Sequence, residues 1–246
     1  MRVYKNIIIE IIATLTRILP FFPGEERVLR LIYNPDKRQN DYLQAIISYG
    51  GDLKIAVDTR SFIEWQIFFK GYYEKHVVNL IKNKLPRGGV FIDVGANVGC
   101  HSLIASRIAS KVIAIEPANM VRKRLLNNIR LNGLNNIIVE SAAISDYVGI
   151  APFFLPKSDI ANQGTGSLSK RGHGEEKAMI SVTTLDELLK NEERIDFIKI
   201  DVEGHSKEVI LGAKEIIKKF KPLILYEDDN GDEMKIFGNG FLRVKT

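Results

Sequence analysis

The sequence contains one cysteine, Cys100, among its 246 residues. A single cysteine cannot form an internal disulfide bond, and it excludes the cysteine clusters that bind zinc or iron–sulfur groups. A small secreted scaffold held by disulfides is therefore excluded, and a reducing, cytoplasmic setting fits the composition best.

Long hydrophobic runs without charge are missing as well. The stretch NIIIEIIATLTRILPFF is strongly apolar, but Glu10 and Arg17 interrupt it and Pro20 stops it. A membrane-spanning helix needs roughly 20 apolar residues with few charges, and a secretory signal needs an unbroken apolar region. We therefore predict a basic and apolar helical segment over residues 1–70 that packs on its own domain or on a partner. Reversible, peripheral attachment to an anionic membrane surface and a non-cleaved anchor remain as alternatives.

The C-terminal part of the chain has no excess of positive charge. Residues 1–90 hold 14 Lys and Arg against 9 Asp and Glu, whereas residues 91–246 hold 21 of each. The formal net charge of +5 therefore belongs to the N-terminal part. Because a domain that binds nucleic acid usually carries a basic face, we expect no nucleic-acid partner.

From residue 89 onward, short β-branched and aromatic runs alternate with helix-like segments. The predicted strands are Val90–Val94, Val112–Ile115, Ile137–Val139, Ile195–Ile200 and Pro222–Tyr226, and the predicted helices are Ser102–Ala109, Arg122–Leu131 and Ser206–Phe220. This alternation predicts an α/β domain over residues 71–246, with a Rossmann-like, doubly wound and mostly parallel sheet. Right-handed crossovers bring the carboxyl ends of such strands to one side, where ligands bind.

The stretch FIDVGANVGCHS has the form of a ligand-binding turn between a strand and a helix. Gly95 and Gly99 allow a sharp turn and a close approach to a ligand, but the spacing G-x-x-x-G differs from the dinucleotide fingerprint. Asp93 would repel a pyrophosphate and favours a ligand with an ammonium or sulfonium group. Glu116, 23 positions further on, is placed to accept hydrogen bonds from ribose hydroxyls. S-adenosylmethionine meets both requirements.

Five motifs in one order resemble the FkbM family of S-adenosylmethionine-dependent methyltransferases. They are VFIDVGANVGCHS, VIAIEP, NIRLNGLNN, a TLDELL segment and IDFIKIDVEG, which together span roughly residues 70–227. The resemblance implies the class I methyltransferase fold and S-adenosyl-L-methionine as cofactor. It also implies that the methionine end of the cofactor is lined by Asp93, Gly95, Asn97 and Gly99, and that Glu116 holds the ribose.

The same resemblance extends to residues beyond the first two strands. Asn128 and Asn132 match family asparagines, although Asn132 before Gly133 equally marks the end of a helix. Methyltransferases of this fold contact adenine after the third strand, which here places Ser141 and Ala142 beside the ring. Ser167 and Leu168 match a family serine and leucine near the acceptor.

The segment IKIDVEG carries the predicted chemistry. Lys199 and Asp201 are two positions apart and point the same way if the strand is regular there. Asp201 is the candidate base, or positions an acceptor hydroxyl, with Lys199 and His205 as the other catalytic candidates. A plain ion pair between Lys199 and Asp201 is the structural alternative.

We expect no metal site. Asp201 at the end of one strand and the acidic run Glu227, Asp228 and Asp229 at the end of the next would suit magnesium. A solvated acidic cluster is the preferred interpretation of these residues.

Two departures from the family pattern concern the end of the domain. Ser206 stands where the family usually has glutamate, and only 19 residues follow Glu227. The fold normally ends with a further helix and an antiparallel pair of strands, so we expect a shortened C-terminal sheet edge. An exposed edge strand would then need cover from the N-terminal segment or a second subunit, which leaves a homo-oligomer open.

The resemblance implies O-methylation of a hydroxyl on a sugar, a glycolipid or another small molecule. A noncatalytic module that senses S-adenosylmethionine, or assembles with other proteins, is one rival interpretation. A nucleic-acid methyltransferase is another, but enzymes that modify exocyclic amines usually carry Asn or Asp, two prolines and an aromatic residue after the fourth strand. Here DVEG occupies that place, without an aromatic residue to stack a base.

Overall fold

The computed structural model of the chain describes residues 2–18, 24–35, 42–156, 166–168, 175–227, 234–237 and 242–244. The chain forms two compact units, of which the first runs to Tyr73 and the second begins at Glu74.

The first unit contains three helices and a β-hairpin. Its elements are α1 (Arg2–Ile18), α2 (Glu25–Ile32), β1 (Gln44–Tyr49), β2 (Leu53–Asp58) and α3 (Phe62–Lys70). Strands β1 and β2 pair antiparallel, and the turn between them uses Gly50 and Gly51 at positive φ. The helical segment expected over residues 1–70 thus corresponds to α1, α2 and α3, whereas the hairpin was not expected.

Helix α1 has a buried side and an exposed apolar side. Ile9 and Ala13 are buried, and the exposed apolar residues of the helix are Ile7, Ile8, Ile11, Leu15 and Ile18. No helix within the described part of the chain is long and apolar enough to cross a membrane. Contact of this apolar side with a membrane surface stays a prediction.

The second unit alternates strands and helices. Its elements are α4 (Lys75–Lys84), β3 (Val90–Val94), α5 (Cys100–Ser106), β4 (Lys111–Ile115), α6 (Asn119–Leu131), β5 (Ile137–Glu140), β6 (Ala143–Ile144), β7 (Gly149–Pro156), β8 (Glu175–Thr183), α7 (Leu185–Leu188), β9 (Phe197–Ile200), α8 (Ser206–Leu211), α9 (Lys214–Phe220), β10 (Leu223–Glu227), β11 (Met234–Phe237) and β12 (Leu242–Val244). All five predicted strands are present, which confirms the Rossmann-like interpretation.

The main sheet has the order β12-β11-β10-β9-β3-β4-β5. Strands β10, β9, β3, β4 and β5 are parallel. From β3 the chain proceeds outward through β4 and β5, and it then returns to β9 on the other side of β3. The order of strands therefore reverses between β3 and β9, the place where ligands bind in doubly wound sheets.

The C-terminal edge of the sheet is short but includes an antiparallel pair. Strand β11 pairs antiparallel with β10, and β12 pairs antiparallel with β11. Among the residues described after β10 there is no helix. The described part of this segment thus supplies the antiparallel pair of edge strands, and the main sheet has seven strands.

The helix predicted over Ser206–Phe220 is divided into α8 and α9. Gly212 separates the two helices, and a Cβ at this position would overlap the carbonyl oxygen of Ser145. The backbone after β6 therefore approaches the helix at Gly212, and sequence periodicity alone contains no sign of this approach. A small second sheet, in which β8 lies between β6 and β7, follows Ser141 and Ala142 in the chain.

Alternation along the central strands sends their side chains to opposite faces of the sheet. Ile92, Val94 and Ile198 belong to the apolar cluster that includes residues of α7, α8 and α9. On the other face, Phe91 packs on Phe197, and the centroids of the two rings are 5.3 Å apart. Asp93 and Lys199 follow these two residues on that same face, and they are register partners in β3 and β9. Two charged side chains are thereby placed in the interior beside α5.

Gly95 sets how closely the turn after β3 approaches the end of β9. It has φ of +80°, and a Cβ there would overlap the carbonyl oxygen of Asp201. We expect Gly95→Ala to lower the free energy of unfolding by about 3 kcal/mol, because steric overlap adds to left-handed backbone strain. Urea denaturation measures the change.

Gly88→Ala is the matched control. Gly88 also has positive φ, +71°, but no heavy atom lies within 4 Å of the Cβ that alanine would add. It should lose only the roughly 1 kcal/mol of backbone strain. Equal losses in the two variants would show that contact with Asp201 does not constrain position 95.

Candidate active site

The turn between β3 and α5 is fixed by contacts with the protein itself. The amides of Gly95 and Ala96 both donate to the carbonyl oxygen of Ile115 at 3.0 Å. Asn97 adopts a left-handed conformation with φ of 52°. A Cβ at Gly99 would contact the side chain of Leu125. The two glycines are therefore required by neighbouring protein groups, a reason that adds to the ligand approach expected from the sequence.

Asn128 holds this turn through a hydrogen bond to its backbone. Its side chain is fully buried on α6, and Nδ2 donates to the carbonyl oxygen of Val98 at 2.9 Å. Asn132 instead donates to the carbonyl oxygen of Asn128 at 2.7 Å, at the C-terminal end of the same helix. Asn128 thus positions the turn, and Asn132 ends a helix.

Asp93 is a fully buried carboxylate at the end of β3. Its Oδ2 accepts a hydrogen bond from Ser102 Oγ at 2.6 Å, whereas Oδ1 has no hydrogen-bond partner. Burial raises the pKa of Asp93, and Lys199 and Ser102 oppose that rise. The side chain therefore offers one acceptor oxygen that the protein leaves without a donor.

Lys199 lies between two carboxylates. Its Nζ donates to Asp201 Oδ2 at 2.9 Å and is 3.7 Å from Asp93 Oδ1. Burial by itself lowers the pKa of Lys199, but Asp201, Asp93 and Glu74 outweigh it, and the net pKa is raised. Lys199 and Asp201 thus point the same way, as the sequence predicts, and form an ion pair. Asp201 keeps 28% of its side chain exposed, whereas Lys199 keeps 2%.

Two further glutamates contribute charge to this region. Burial raises the pKa of Glu74 to about 7, with Asp201 and Asp93 raising it further and Lys199 opposing. Burial likewise raises the pKa of Glu227 to about 7, and Asp201 and Glu203 add to the effect. Glu227 stands in the acidic run noted in the sequence, but Glu74 precedes every motif. Nothing in the sequence pattern indicated Glu74.

Glu116 occupies the end of β4 as predicted, and the protein already holds both of its oxygens. Oε2 accepts from the amide of Asn97 at 2.9 Å, and Oε1 accepts from the amide of Ala118 at 2.8 Å. Burial raises the pKa of Glu116 to about 7, and the two amide hydrogen bonds oppose it. The carboxylate is therefore fixed in orientation, with remaining lone pairs for a ligand.

The other predicted site residues, Ser141, Ala142 and His205, belong to the segments after β5 and before α8. Ser141 is exposed and Ala142 half-buried in the segment after β5. His205 precedes α8, where Nε2 lies 2.9 Å from Ser145 Oγ and Nδ1 lies 3.5 Å from Glu208 Oε2. Both ring nitrogens of His205 thus face groups other than Lys199 and Asp201.

Ser167 is the one predicted acceptor-side residue that reaches the DVEG segment. It is buried, and its Oγ donates to the carbonyl oxygen of Glu203 at 3.1 Å. The backbone of Ser167 also pairs with that of Phe154 in β7. The contact links the second sheet to the end of β9.

Over the ranges that the structure describes, no group of three or more His, Cys, Asp or Glu side chains is arranged to hold a metal ion. Asp228 and Asp229, two members of the acidic run considered for magnesium, lie outside the described residues. Glu227, the described member of that run, has its pKa raised by Asp201 in addition to burial, which by itself does not indicate a metal site.

A family model matches most of the second unit. The model is that of the methyltransferase FkbM domain, and it matches residues 93–240, more than half of the chain. The match begins at Asp93 and includes every site residue discussed above except Glu74.

Two curated proteins show the range of relatives. Methyltransferase sdnD of Sordaria araneosa is 26% identical over 184 residues, which cover 62% of this chain and 70% of that protein. Hexuronic acid methyltransferase AglP of Haloferax volcanii is 31% identical over 155 residues, which cover 62% of this chain and 61% of that protein. The chain thus spans less than two thirds of AglP.

Solved structures show weaker likeness. Methyltransferase FkbM from Methylobacillus flagellatus has a TM-score of 0.41 and 16% identity, covering 67% of this chain and 42% of that one. SMU.1697c from Streptococcus mutans, solved in complex with SAH, has a TM-score of 0.40 and 10% identity, covering 62% of this chain and 69% of that one. Likenesses of this size assign no substrate.

The buried carboxyl groups predict how stability depends on pH. The pKa values of Glu74, Glu116 and Glu227 are raised to about 7 from 4.5. A carboxyl group whose pKa is higher in the folded than in the unfolded state stabilises the folded state. This contribution is complete below the pKa of the unfolded state, and it is lost as pH rises through the pKa of the folded state. We expect the free energy of unfolding of the ligand-free protein to fall between about pH 5 and pH 8, as measured by urea denaturation.

The variant Glu227→Gln should reduce this slope, because it removes one of the titrating groups. Glu193→Gln, which changes an exposed glutamate, is the control and should leave the slope unchanged. The same slope in both variants would show that Glu227 does not contribute to the pH dependence.

Proposed function

The chain belongs to the FkbM family of methyltransferases, and from this premise we propose that it methylates a hydroxyl oxygen on a sugar, a glycolipid or another small molecule. The family uses S-adenosylmethionine as its cofactor. The observation that carries the proposal is the partly exposed carboxylate of Asp201, which Lys199 orients beside Asp93 where the strand order of the sheet reverses.

The residues at the ends of β3 and β4 fit this cofactor. Asp93 Oδ1 is buried without a hydrogen-bond partner, which suits a ligand that carries positive charge. The carboxylate of Glu116 is oriented by two amides and retains lone pairs that suit ribose hydroxyls. We assign five further residues to the cofactor site, namely Gly95, Asn97, Gly99, Ser141 and Ala142.

S-adenosylmethionine supplies the methyl group from its sulfonium, and the protein has to align an acceptor oxygen and accept its proton. Asp201 suits the second task, because its carboxylate is partly exposed, whereas its neighbours Asp93 and Lys199 are buried. Lys199 holds its proton, since its pKa is raised, and it is therefore a positioning group that orients Asp201 rather than a base.

His205 is less suited to the role of base than Asp201. Its ring nitrogens lie near Ser145 and Glu208, so the imidazole is oriented by groups outside the Lys199 pair. We retain it as a candidate that contacts the acceptor and assign proton transfer to Asp201.

A sugar hydroxyl is the preferred acceptor. AglP, whose name states hexuronic acid as its substrate, is a relative at 31% identity. The partly buried acidic residues Asp201, Glu203 and Glu227 also provide acceptors for the hydroxyl hydrogens of a polyhydroxylated ligand. Both observations favour a carbohydrate over an apolar acceptor.

A noncatalytic module that binds the same cofactor is the second candidate. It would require a damaged catalytic end, whereas here Lys199 and Asp201 form an intact pair. Calorimetric titration with S-adenosylmethionine, S-adenosylhomocysteine and NAD in parallel tests the cofactor, and an acceptor screen that starts from sugars tests turnover. Saturable binding of the first two ligands without transfer to any sugar would favour the noncatalytic module.

Substitution of Asp201 separates binding from chemistry. We expect Asp201→Asn to keep its affinity for S-adenosylhomocysteine within about two-fold and to lower the methyl-transfer rate by about a hundred-fold or more, because a positioned base contributes that much. Transfer of a labelled methyl group, followed beside the calorimetric titration, measures both quantities.

Asp52→Asn is the control for this substitution. Asp52 is exposed in the turn of the β-hairpin, and the variant should match the wild type in both measurements. In contrast, Asp93→Asn should weaken cofactor binding itself. Unchanged transfer in Asp201→Asn would refute the assignment of Asp201 as the base.

A further inference from the structure

We propose that Glu74, together with Asp93, binds the ammonium group of the methionine moiety of S-adenosylmethionine. Glu74 lies outside the residues that the family model matches. The proposal rests on the cofactor of the proposed function and is independent of the acceptor.

The backbone at Glu74 adopts an unusual conformation. Glu74 precedes α4 with φ of 46° and ψ of 64°, a left-handed conformation that side chains other than glycine rarely adopt. Such strain is typically about 1 kcal/mol or more, and it persists where the surroundings hold the residue for a purpose. The carboxylate is turned inward, with 17% of the side chain exposed.

Two carboxylate oxygens in this region lack a hydrogen-bond donor. They are Glu74 Oε2 and Asp93 Oδ1, and both are buried. Lys199 does not supply the missing donor, because its Nζ is 3.7 Å from Asp93 Oδ1 and donates to Asp201 at 2.9 Å. A buried acceptor without a donor is unfavourable, and more so when it is charged, so a ligand that donates here is bound more tightly.

His101 lies beside Glu74 but does not provide a cation. His101 Nε2 is 3.6 Å from Glu74 Oε2, beyond hydrogen-bond distance. Burial lowers the pKa of His101 well below its usual value, so the imidazole is neutral at physiological pH. Glu74 Oε2 is therefore available to accept a hydrogen bond from a ligand.

The charge balance of the region identifies the kind of ligand. Contacts with α5 place Glu74 near Asp93, because His101 Nε2 lies 3.6 Å from Glu74 Oε2 and the next residue, Ser102, donates to Asp93 Oδ2 at 2.6 Å. Asp201 and Asp93 accordingly raise the pKa of Glu74, and Lys199 opposes them. The site therefore has room for one more positive charge. A sulfonium carries charge but no N–H, whereas the methionine ammonium carries both charge and three N–H donors, which suits two acceptor oxygens.

A pair of ligands and a pair of proteins test the assignment. The ligands are S-adenosylhomocysteine and its desamino analogue, which lacks only the amine, and the proteins are the wild type and Glu74→Gln. Calorimetry should show that Glu74→Gln weakens binding of S-adenosylhomocysteine by about ten-fold or more, and that of the desamino analogue by no more than about two-fold.

Two variants serve as controls. Glu116→Gln, which changes the ribose side of the site, should weaken both ligands by the same factor. Glu74→Asp keeps the charge but shortens the side chain, and it should lose an intermediate part of the preference for the amine. It also provides the second measurement if Glu74→Gln does not fold, which thermal unfolding shows.

Three outcomes would overturn the proposal. The first is an equal loss of affinity for both ligands in Glu74→Gln, which would indicate a structural role. The second is an unchanged preference for the amine in Glu74→Gln or Glu74→Asp. The third is absence of S-adenosylhomocysteine binding to the wild type, which removes the cofactor premise. Because no acceptor takes part, failure to find O-methylation would leave these results unaffected.

Discussion

The buried ammonium group of Lys199 is the constraint on which the candidate site depends. An ammonium moved from water into a protein interior without a partner is destabilising by several kcal/mol, so the folded state needs carboxylates around it. Asp93 supplies one from the neighbouring strand, and Asp201 supplies another from the same chain segment. The charged group therefore joins β3 and β9 on the face of the sheet beside α5, at the point where the strand order reverses. The two sides of the candidate site meet at that junction.

The carboxyl groups around Lys199 are more numerous than one ammonium neutralises. Burial is the main cause of the raised pKa values of Glu74 and Glu227, and this excess of negative charge adds to it, since each additional negative charge makes the next ionisation less favourable. It also gives the site a preference for cations before any specific contact is made. A positively charged cofactor relieves the repulsion that the folded protein maintains without it, so ligand binding and protonation are linked at this site.

The sequence predicted the sheet because its strands depend on short local patterns. The run at Val90–Val94 forms a strand with those same bounds, and Glu116 follows the next strand as its position indicated. The hairpin β1–β2 was missed because the apolar N-terminus suggested helices throughout, although Gly50 and Gly51 mark its turn. Glu74 was missed for a different reason. Its importance comes from a strained backbone and from neighbours far away in the chain, and neither leaves a trace in composition or spacing.

The contact of Gly95 with the Asp201 carbonyl has a consequence for how this protein can change over evolutionary time. Because backbone meets backbone there, a side chain at position 95 cannot be accommodated by choosing a smaller neighbour. The turn that faces the cofactor and the segment that carries the candidate base must therefore be inherited together. A new acceptor preference can arise through the side chains that follow Asp201, such as Glu203, but a transplanted turn would move the base itself. Changes in acceptor preference therefore involve other residues than the turn assigned to the methyl donor.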